Sequence, residues 1–221
     1  MLLRVSAWYS ERLRSNERMD YRKKPASTKM SIHPKVKWAM VFVVFLVFSR
    51  SWYGAGISNY YQFYLIEDYG LSIKEAQAYI FVFMFAGVLG TFLGGPLADR
   101  FGKRNIIFFS MIGAAPLTLA LPYLSLVMVY PFIFCIGLIL SSSFSVIVVY
   151  AQELLPSKIG MVSGLTVGLA FGMGAVGAVL FGGLADLFTI RFVMILCSFL
   201  PLLGMMTFFL PSDKTVRSFH K

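Results

Sequence analysis

Apolar residues occur along the chain in long blocks that short charged or proline-bearing stretches interrupt. The blocks span roughly 18 to 28 residues each and lie at 38–65, 76–98, 105–122, 126–150, 159–185 and 190–210. A helix needs about 20 predominantly apolar residues to cross a membrane. The pattern therefore predicts six transmembrane helices, of which the first and the fifth are long enough to be tilted or kinked.

The composition strengthens this prediction. Of the 221 residues, 58% are hydrophobic and 14% are charged, and the mean hydropathy is +0.75. A soluble domain of this length does not need so much apolar surface. We expect an all-α integral membrane protein in a lipid bilayer. Its six-helix bundle would occupy 38–211, after a basic cytoplasmic segment at 1–37 and before a cytoplasmic tail at 212–221.

The net charge of +10 would suggest a nucleic-acid partner in a soluble protein, but the cations are unevenly distributed. Residues 1–37 hold ten of the 20 Lys and Arg residues. If both termini are cytoplasmic, 17 of the 20 lie on the inner side, Lys74 and Arg191 lie outside, and Arg50 lies within the first span. This is the positive-inside asymmetry of a multi-pass membrane protein. We therefore expect cytoplasmic termini and no nucleic-acid partner.

Candidate catalytic chemistry is sparse. The sequence has no cluster of His, Cys and carboxylate residues, no nucleophile elbow and no phosphate loop, and its two histidines lie in the predicted tails. We predict that the protein is not an enzyme and that it holds neither a metal nor a cofactor.

The most specific motif is the stretch GPLADRFGKR between the second and third spans, which has the form G-x-x-x-D-R-x-G-K-R. We expect its first glycine to allow close backbone approach, its acid to bond free backbone N–H groups, and its second glycine to permit a tight turn. Its cations would hold the loop at the cytoplasmic face, near anionic lipid. A generic positive-inside loop is the alternative. The motif residues are Gly95, Asp99, Arg100, Gly102, Lys103 and Arg104.

This loop resembles the signature of the major facilitator superfamily. Two further stretches, YAQELLPSKIGMVSGLTVGLAFGMGAVGA at 150–178 and SNYYQFYLIEDYGLS at 58–72, resemble the C-terminal half of the fosmidomycin resistance protein family. The resemblance implies one six-helix half of a twelve-helix transporter. Residues 1–37 would then correspond to the end of the sixth helix and the central cytoplasmic loop.

The same resemblance implies a function. It is proton-coupled efflux of anionic drugs such as fosmidomycin across the bacterial inner membrane, with the proton gradient as the energy source. Since such transporters bind substrate between two halves, three interpretations stay open. The chain is a fragment or truncated reading frame, it pairs with a separate N-terminal half, or it pairs with a second copy. A truncated or non-transporting membrane protein is the alternative function.

Glu153 is the acid to consider for proton coupling, since no carboxylate falls in the middle of any predicted span. It ends the fourth span at the predicted inner face. It is either a proton carrier or a helix-end acid that bonds the neighbouring loop cations.

Glycines recur every fourth residue in the fifth span, at Gly160, Gly164, Gly168 and Gly172. At 3.6 residues per turn they share one narrow face, which allows helices to approach closely in lipid. The stripe packs within the six-helix bundle, forms a thin, sliding surface against another half, or does both. The second span carries a shorter version in Ala86, Gly90 and Gly94.

Arg50 is the least expected residue, because it lies about twelve residues inside the first span, near the bilayer midplane. A cation at that depth costs about 2.5 to 3.5 kcal/mol on insertion scales. It forms an ion pair with a carboxylate of another half, binds an anionic substrate in a central cavity, or faces lipid. Four polar neighbours are further candidates for substrate binding in that cavity: Asn59, Gln62, Tyr60 and Tyr61. The two tyrosines would equally suit a membrane interface.

Overall fold

The computed structural model describes residues 34–211 and 215–216, and within these ranges the chain is a helical bundle. Its α-helices are α1 (Pro34–Tyr69), α2 (Ile73–Phe101), α3 (Lys103–Ala120), α4 (Leu126–Leu154), α5 (Ile159–Leu187) and α6 (Ile190–Phe199). Short 3₁₀ helices at Leu121–Tyr123 and Pro156–Lys158 connect neighbours, and a longer one follows α6 at Leu200–Phe209. Predictions made for residues 1–33 lie outside the described residues.

Local sequence signals fix several helix ends. Ser72 caps α2 in a reciprocal capping box, in which the Glu75 carboxylate accepts from the Ser72 backbone N–H at 2.9 Å. Gly102 alone separates α2 from α3, and its φ of 89° lies in the region that glycine adopts without strain. Thr189 accepts a bond from the Phe192 backbone N–H and so caps α6.

The closest helix pair is α2 with α4, and glycines allow the approach. A Cβ on Gly90 would lie 2.9 Å from the Leu138 carbonyl carbon, and one on Gly94 would lie 2.9 Å from that of Ser142. From the other side, a Cβ on Gly137 would lie 3.2 Å from the Ala86 Cβ. The short small-residue group predicted in the second span therefore does pack within the bundle, as a close contact of this kind requires.

Helix α1 runs through the centre of the described bundle and contacts α2, α4, α5, α6 and the final 3₁₀ helix. Several of its polar side chains donate to backbone carbonyls of neighbouring segments. Ser49 donates to the Leu200 carbonyl at 2.6 Å, and Tyr64 donates to the Pro122 carbonyl at 2.9 Å. In an apolar surrounding, polar groups need such hydrogen-bond partners within the protein.

The outer surface is apolar. Phe92, Val127 and Val179 are 77%, 79% and 76% exposed, a pattern that water disfavours and lipid accepts. Within the described residues, five helices are long and apolar enough to cross a membrane. The predicted sixth span, 190–210, differs because ten α-helical residues are followed by ten in a 3₁₀ helix. The structure thus has five long apolar helices and one shorter, mixed segment where the sequence predicts six transmembrane helices.

Candidate functional site

Arg50 lies on α1 and is held by α4. Its Nε donates to the Leu140 carbonyl at 3.1 Å, and its guanidinium carbon lies 4.7 Å from the centroid of the Phe144 ring. The ion pairs found among the described residues involve other side chains, so no described carboxylate neutralises it. The other guanidinium N–H groups have no described hydrogen-bond acceptor. The site therefore has a half-buried cation with unused donors.

A cavity of about 550 Å³ lies beside this guanidinium, between α1, α4 and α5. Its polar wall comes from α1, and its remaining wall is apolar and contains two aromatic rings. The lining residues are Arg50, Ser51, Gly54, Ala55, Ser58, Asn59, Phe144, Ala170, Phe171, Gly174, Ala175 and Ala178. A large apolar pocket with a few converging polar groups is typical of small-molecule sites.

A smaller cavity of about 150 Å³ lies on the other side of Arg50, between α1, α2 and α4. It is lined by Arg50, Ser51, Tyr53, Gly54, Phe83, Leu140 and Ser141. Arg50, Ser51 and Gly54 line both cavities. The guanidinium thus stands where the two spaces meet.

The structure brings together only part of the predicted substrate site. Asn59 lines the larger cavity, and its side-chain amide donates to the Ala55 carbonyl of its own helix at 2.8 Å. Tyr60 instead donates to the Ala178 carbonyl, and Tyr61 is fully buried with its ring 5.7 Å from that of Tyr64. Neither tyrosine lines either cavity, and neither does Gln62. The two tyrosines thus make contacts between helices in the described bundle, and the substrate-binding role of Tyr60, Tyr61 and Gln62 stays a prediction.

The sequence prediction missed the cavity residues contributed by α4 and α5, of which Phe144 and Phe171 are the largest. It also missed Ser51 and Ser58. These two, with Ala55, recur at i, i+4 and i+7, the spacing of one helix face. That spacing on α1 was a usable signal. The aromatic residues of α4 and α5 carried none, because apolar residues surround them in sequence.

The four predicted packing glycines of α5 face open space. A Cβ on Gly160, Gly164, Gly168 or Gly172 would meet no described residue within 4 Å. The prediction that this stripe packs within the described bundle is therefore wrong. The next glycines along α5 do pack, since a Cβ on Gly177 would lie 3.1 Å from the Trp52 indole ring. The alternative, a surface for another half, stays a prediction.

The predicted loop motif is a single-residue turn, flanked by an ion pair and by a hydrogen bond to a backbone carbonyl. Lys103 donates to the Glu153 carboxylate at 2.8 Å, which ties the start of α3 to the end of α4. Arg104 donates to the Phe208 carbonyl at 2.7 Å. Glu153 is thus a helix-end acid bonded to a loop cation, the second of its two predicted roles; its role in proton coupling stays untested.

Two predicted roles in this motif differ from the structure. Asp99 is exposed in the last turn of α2. The N-cap position of α3 is Gly102 and no side chain caps this helix, so Asp99 does not cap it. Gly95 is exposed, and no described atom lies within 4 Å of its Cβ position. Its neighbour Gly94 makes the close approach instead. Arg100 is exposed, with its guanidinium 5.4 Å from the Phe101 ring centroid.

Comparisons with known proteins agree with the membrane bundle. Residues 5–175 match the family model of the Major Facilitator Superfamily. The chain is 50% identical over 219 residues to an uncharacterized MFS-type transporter, YfnC, of Bacillus subtilis, covering 99% of this chain and 54% of that protein. It is 48% identical over 216 residues to the fosmidomycin resistance protein of Escherichia coli, covering 97% of this chain and 52% of that protein.

A more distant similarity extends over part of the chain. It is 31% identical over 124 residues to the cis,cis-muconate transport protein of Acinetobacter baylyi, covering 56% of this chain and 29% of that protein. The chain spans about half the length of the two curated relatives that match nearly all of it.

Proposed function

The chain belongs to the major facilitator superfamily, and we propose that it forms the C-terminal six-helix half of a proton-coupled exporter of anionic drugs such as fosmidomycin. Membership in this family, together with the apolar helices, makes it a multi-pass membrane protein. The observation that carries the proposal is Arg50, a cation without a described carboxylate partner that lines a cavity between three helices.

The chemistry of that cavity favours an amphipathic anion. A guanidinium offers planar, paired donors that match the geometry of carboxylate, phosphonate and phosphate oxygens. The rings of Phe144 and Phe171 and the small residues of α5 provide apolar contact for the rest of the molecule. Fosmidomycin carries a phosphonate and muconate is a dicarboxylate, so two relatives bear the names of anions. A half-buried cation with unused donors offsets its own cost when it binds such a group.

The second half would cover the open side of this bundle. The stripe of Gly160, Gly164, Gly168 and Gly172 has no described neighbour, and it lies on the same helix as the cavity residues Ala170 and Gly174. An N-terminal six-helix half packed there would close the cavity and slide along a thin helix during alternating access. A second copy of this chain is the other occupant we consider.

We further propose that the protein lies in the bacterial inner membrane with both termini in the cytoplasm. The Gly95–Arg104 loop would then face the cytoplasm, where its cations match the positive-inside pattern. The proton gradient would supply the energy, without a bound cofactor.

The test is fosmidomycin susceptibility in a bacterial strain that lacks its own exporter. The chain is expressed alone and together with the N-terminal half of the Escherichia coli fosmidomycin resistance protein. We expect resistance with the pair and its loss in Arg50→Ala at equal protein level. Arg191→Ala is the matched control, because Arg191 is an exposed arginine at the start of α6 that pairs with Asp68 at 3.7 Å and lines neither cavity. Sensitivity with every combination, despite membrane insertion, would refute the proposal.

A further inference from the structure

The two cavities that meet at Arg50 have different chemistry, and this difference suggests how a substrate is oriented. We propose that the smaller cavity, of about 150 Å³, is the subsite for the anionic head group, while the larger one holds the body of the substrate. The head group would be a carboxylate, phosphonate or phosphate. This inference rests on the proposed function, and it adds Ser51 and Ser141 as residues that bind substrate.

Unused donors surround the smaller cavity. Ser142 and Ser143 donate to carbonyls of their own helix, at 2.7 Å from Ile139 and 2.8 Å from Leu140. Such bonding to the preceding turn is the usual fate of serine in an apolar helix. Among the described residues, the hydroxyls of Ser51 and Ser141 make no such bond, and both line the smaller cavity. With the free N–H groups of Arg50, they form a set of donors suited to several oxygens of one anion.

The neighbouring helix leaves room for this arrangement. A Cβ on Gly87 of α2 would lie only 3.0 Å from the Ser141 Oγ, so the glycine keeps that hydroxyl unobstructed between α2 and α4. Any larger residue at this position would push on the hydroxyl.

The volumes of the two cavities also support different roles in substrate binding. The smaller cavity has a volume of about 150 Å³. That is enough for a carboxylate or phosphonate group but not for a drug-sized molecule, which occupies pockets of about 300 to 1,000 Å³. The larger cavity, at about 550 Å³, falls in that range and is lined mostly by apolar residues.

Gly54 forms the passage between the two cavities. It lines both, one turn after Arg50, and its Cβ position has no described atom within 4 Å. A methyl group at this position therefore projects into space that the substrate would use, without disturbing the described packing. This makes Gly54→Ala a steric test that does not depend on removing a hydrogen bond.

The experiment measures binding of fosmidomycin by isothermal titration calorimetry to the full chain, purified in detergent together with the N-terminal half of the Escherichia coli fosmidomycin resistance protein. A neutral dialkyl ester of the phosphonate serves as the probe that lacks the anionic head. The variants are Arg50→Ala, Ser51→Ala, Ser141→Ala and Gly54→Ala. Ser142→Ala is the matched control, since that hydroxyl is already bonded within its own helix. Circular dichroism and gel filtration show that each variant is folded.

We expect Ser51→Ala and Ser141→Ala each to weaken fosmidomycin binding about tenfold, as loss of a hydrogen bond to a charged group does. Gly54→Ala would weaken it as well, Ser142→Ala would bind like the unaltered chain, and the neutral ester would bind weakly to all of them. If Arg50→Ala abolishes binding while Ser51→Ala, Ser141→Ala and Gly54→Ala leave it unchanged, the head-group subsite is refuted and the proposed function stands. If the pair with the unaltered chain binds no fosmidomycin, or if the pair with Arg50→Ala binds it equally well, both are refuted.

Discussion

Replacing Gly90 with alanine tests whether the contact between α2 and α4 determines the stability of the bundle. The added Cβ would lie 2.9 Å from the Leu138 carbonyl carbon and 3.0 Å from its Cα. These are backbone atoms, so relief requires the two helices to separate. Overpacking of this kind costs about 1 to 3 kcal/mol. The helix preference of alanine over glycine offsets about 0.5 to 1 kcal/mol of that cost.

Gly113→Ala is the matched control. Gly113 lies inside α3, is exposed, and has no described atom within 4 Å of its Cβ position, so only the helix preference should act there. The two variants therefore differ by the overpacking cost alone. At about 2 to 4 °C per kcal/mol, a difference of about 2 kcal/mol separates their melting temperatures by about 4 to 8 °C.

The assay is thermal unfolding of the two purified variants in the same detergent, followed by circular dichroism. We expect Gly113→Ala to melt at or above the unaltered chain, and Gly90→Ala to melt clearly below Gly113→Ala. Equal melting temperatures for the two variants would show that α2 and α4 are not packed as closely as their glycines indicate.

Three further predictions concern other parts of the bundle. Glu153→Gln breaks the ion pair with Lys103, in which the Glu153 side chain is 38% exposed and the Lys103 side chain 15%. Since the pair is partly exposed to solvent, we expect a stability loss under about 1 kcal/mol and retained export in the susceptibility assay. Complete loss of export by a folded variant would instead assign Glu153 to the proton path. Gly168→Leu adds a side chain at a position where a Cβ would meet no described residue within 4 Å. We therefore expect an unchanged melting temperature for the chain alone and loss of export by the assembled pair. Unchanged export would show that the stripe makes no contact between halves. Tyr64→Phe deletes the buried hydroxyl that donates to the Pro122 carbonyl at 2.9 Å. Loss of this bond costs about 1 kcal/mol, so we expect the melting temperature to fall by about 2 to 4 °C. An unchanged melting temperature would mean that this hydroxyl contributes nothing to stability.

Most of the fold could be predicted from the sequence, because lipid imposes a simple rule of length and apolarity on each span. The helix ends were harder to locate. The predicted loop after the second span reduces to Gly102, since α2 continues through charged residues to Phe101 and α3 starts at Lys103. The mixed character of the sixth segment could not be predicted, because composition does not distinguish an α-helix from the 3₁₀ helix at Leu200–Phe209.

Glycine patterns showed which residues allow close contact, but not which helix they face. The regular stripe beginning at Gly160 looked like a packing surface and is open, whereas the shorter group containing Gly90 and Gly94 is packed. The difference depends on how α5 is rotated relative to its neighbours. Rotation is set by contacts distant in sequence, such as that between Gly177 and Trp52, and periodicity alone does not encode it.

The candidate site was also predictable only in part. Arg50 stood out because a charge in an apolar block is costly wherever it points. Its surroundings depended on three-dimensional packing, which excluded Tyr60 and Tyr61 and brought in Phe144 from α4. Single unusual residues are therefore visible in a membrane sequence, while the apolar walls of a cavity are not.

Transport itself gives the most direct test of Arg50 as the anion site. Everted membrane vesicles are prepared from cells that produce the chain with the N-terminal half of the Escherichia coli fosmidomycin resistance protein, and accumulation of fosmidomycin is measured under an imposed proton gradient. We expect accumulation with Arg50, strongly reduced accumulation with Arg50→Lys, which keeps the charge but loses the planar donor pair, and none with Arg50→Ala. Accumulation by Arg50→Ala at the rate of the unaltered chain, at equal protein level, would contradict the assignment.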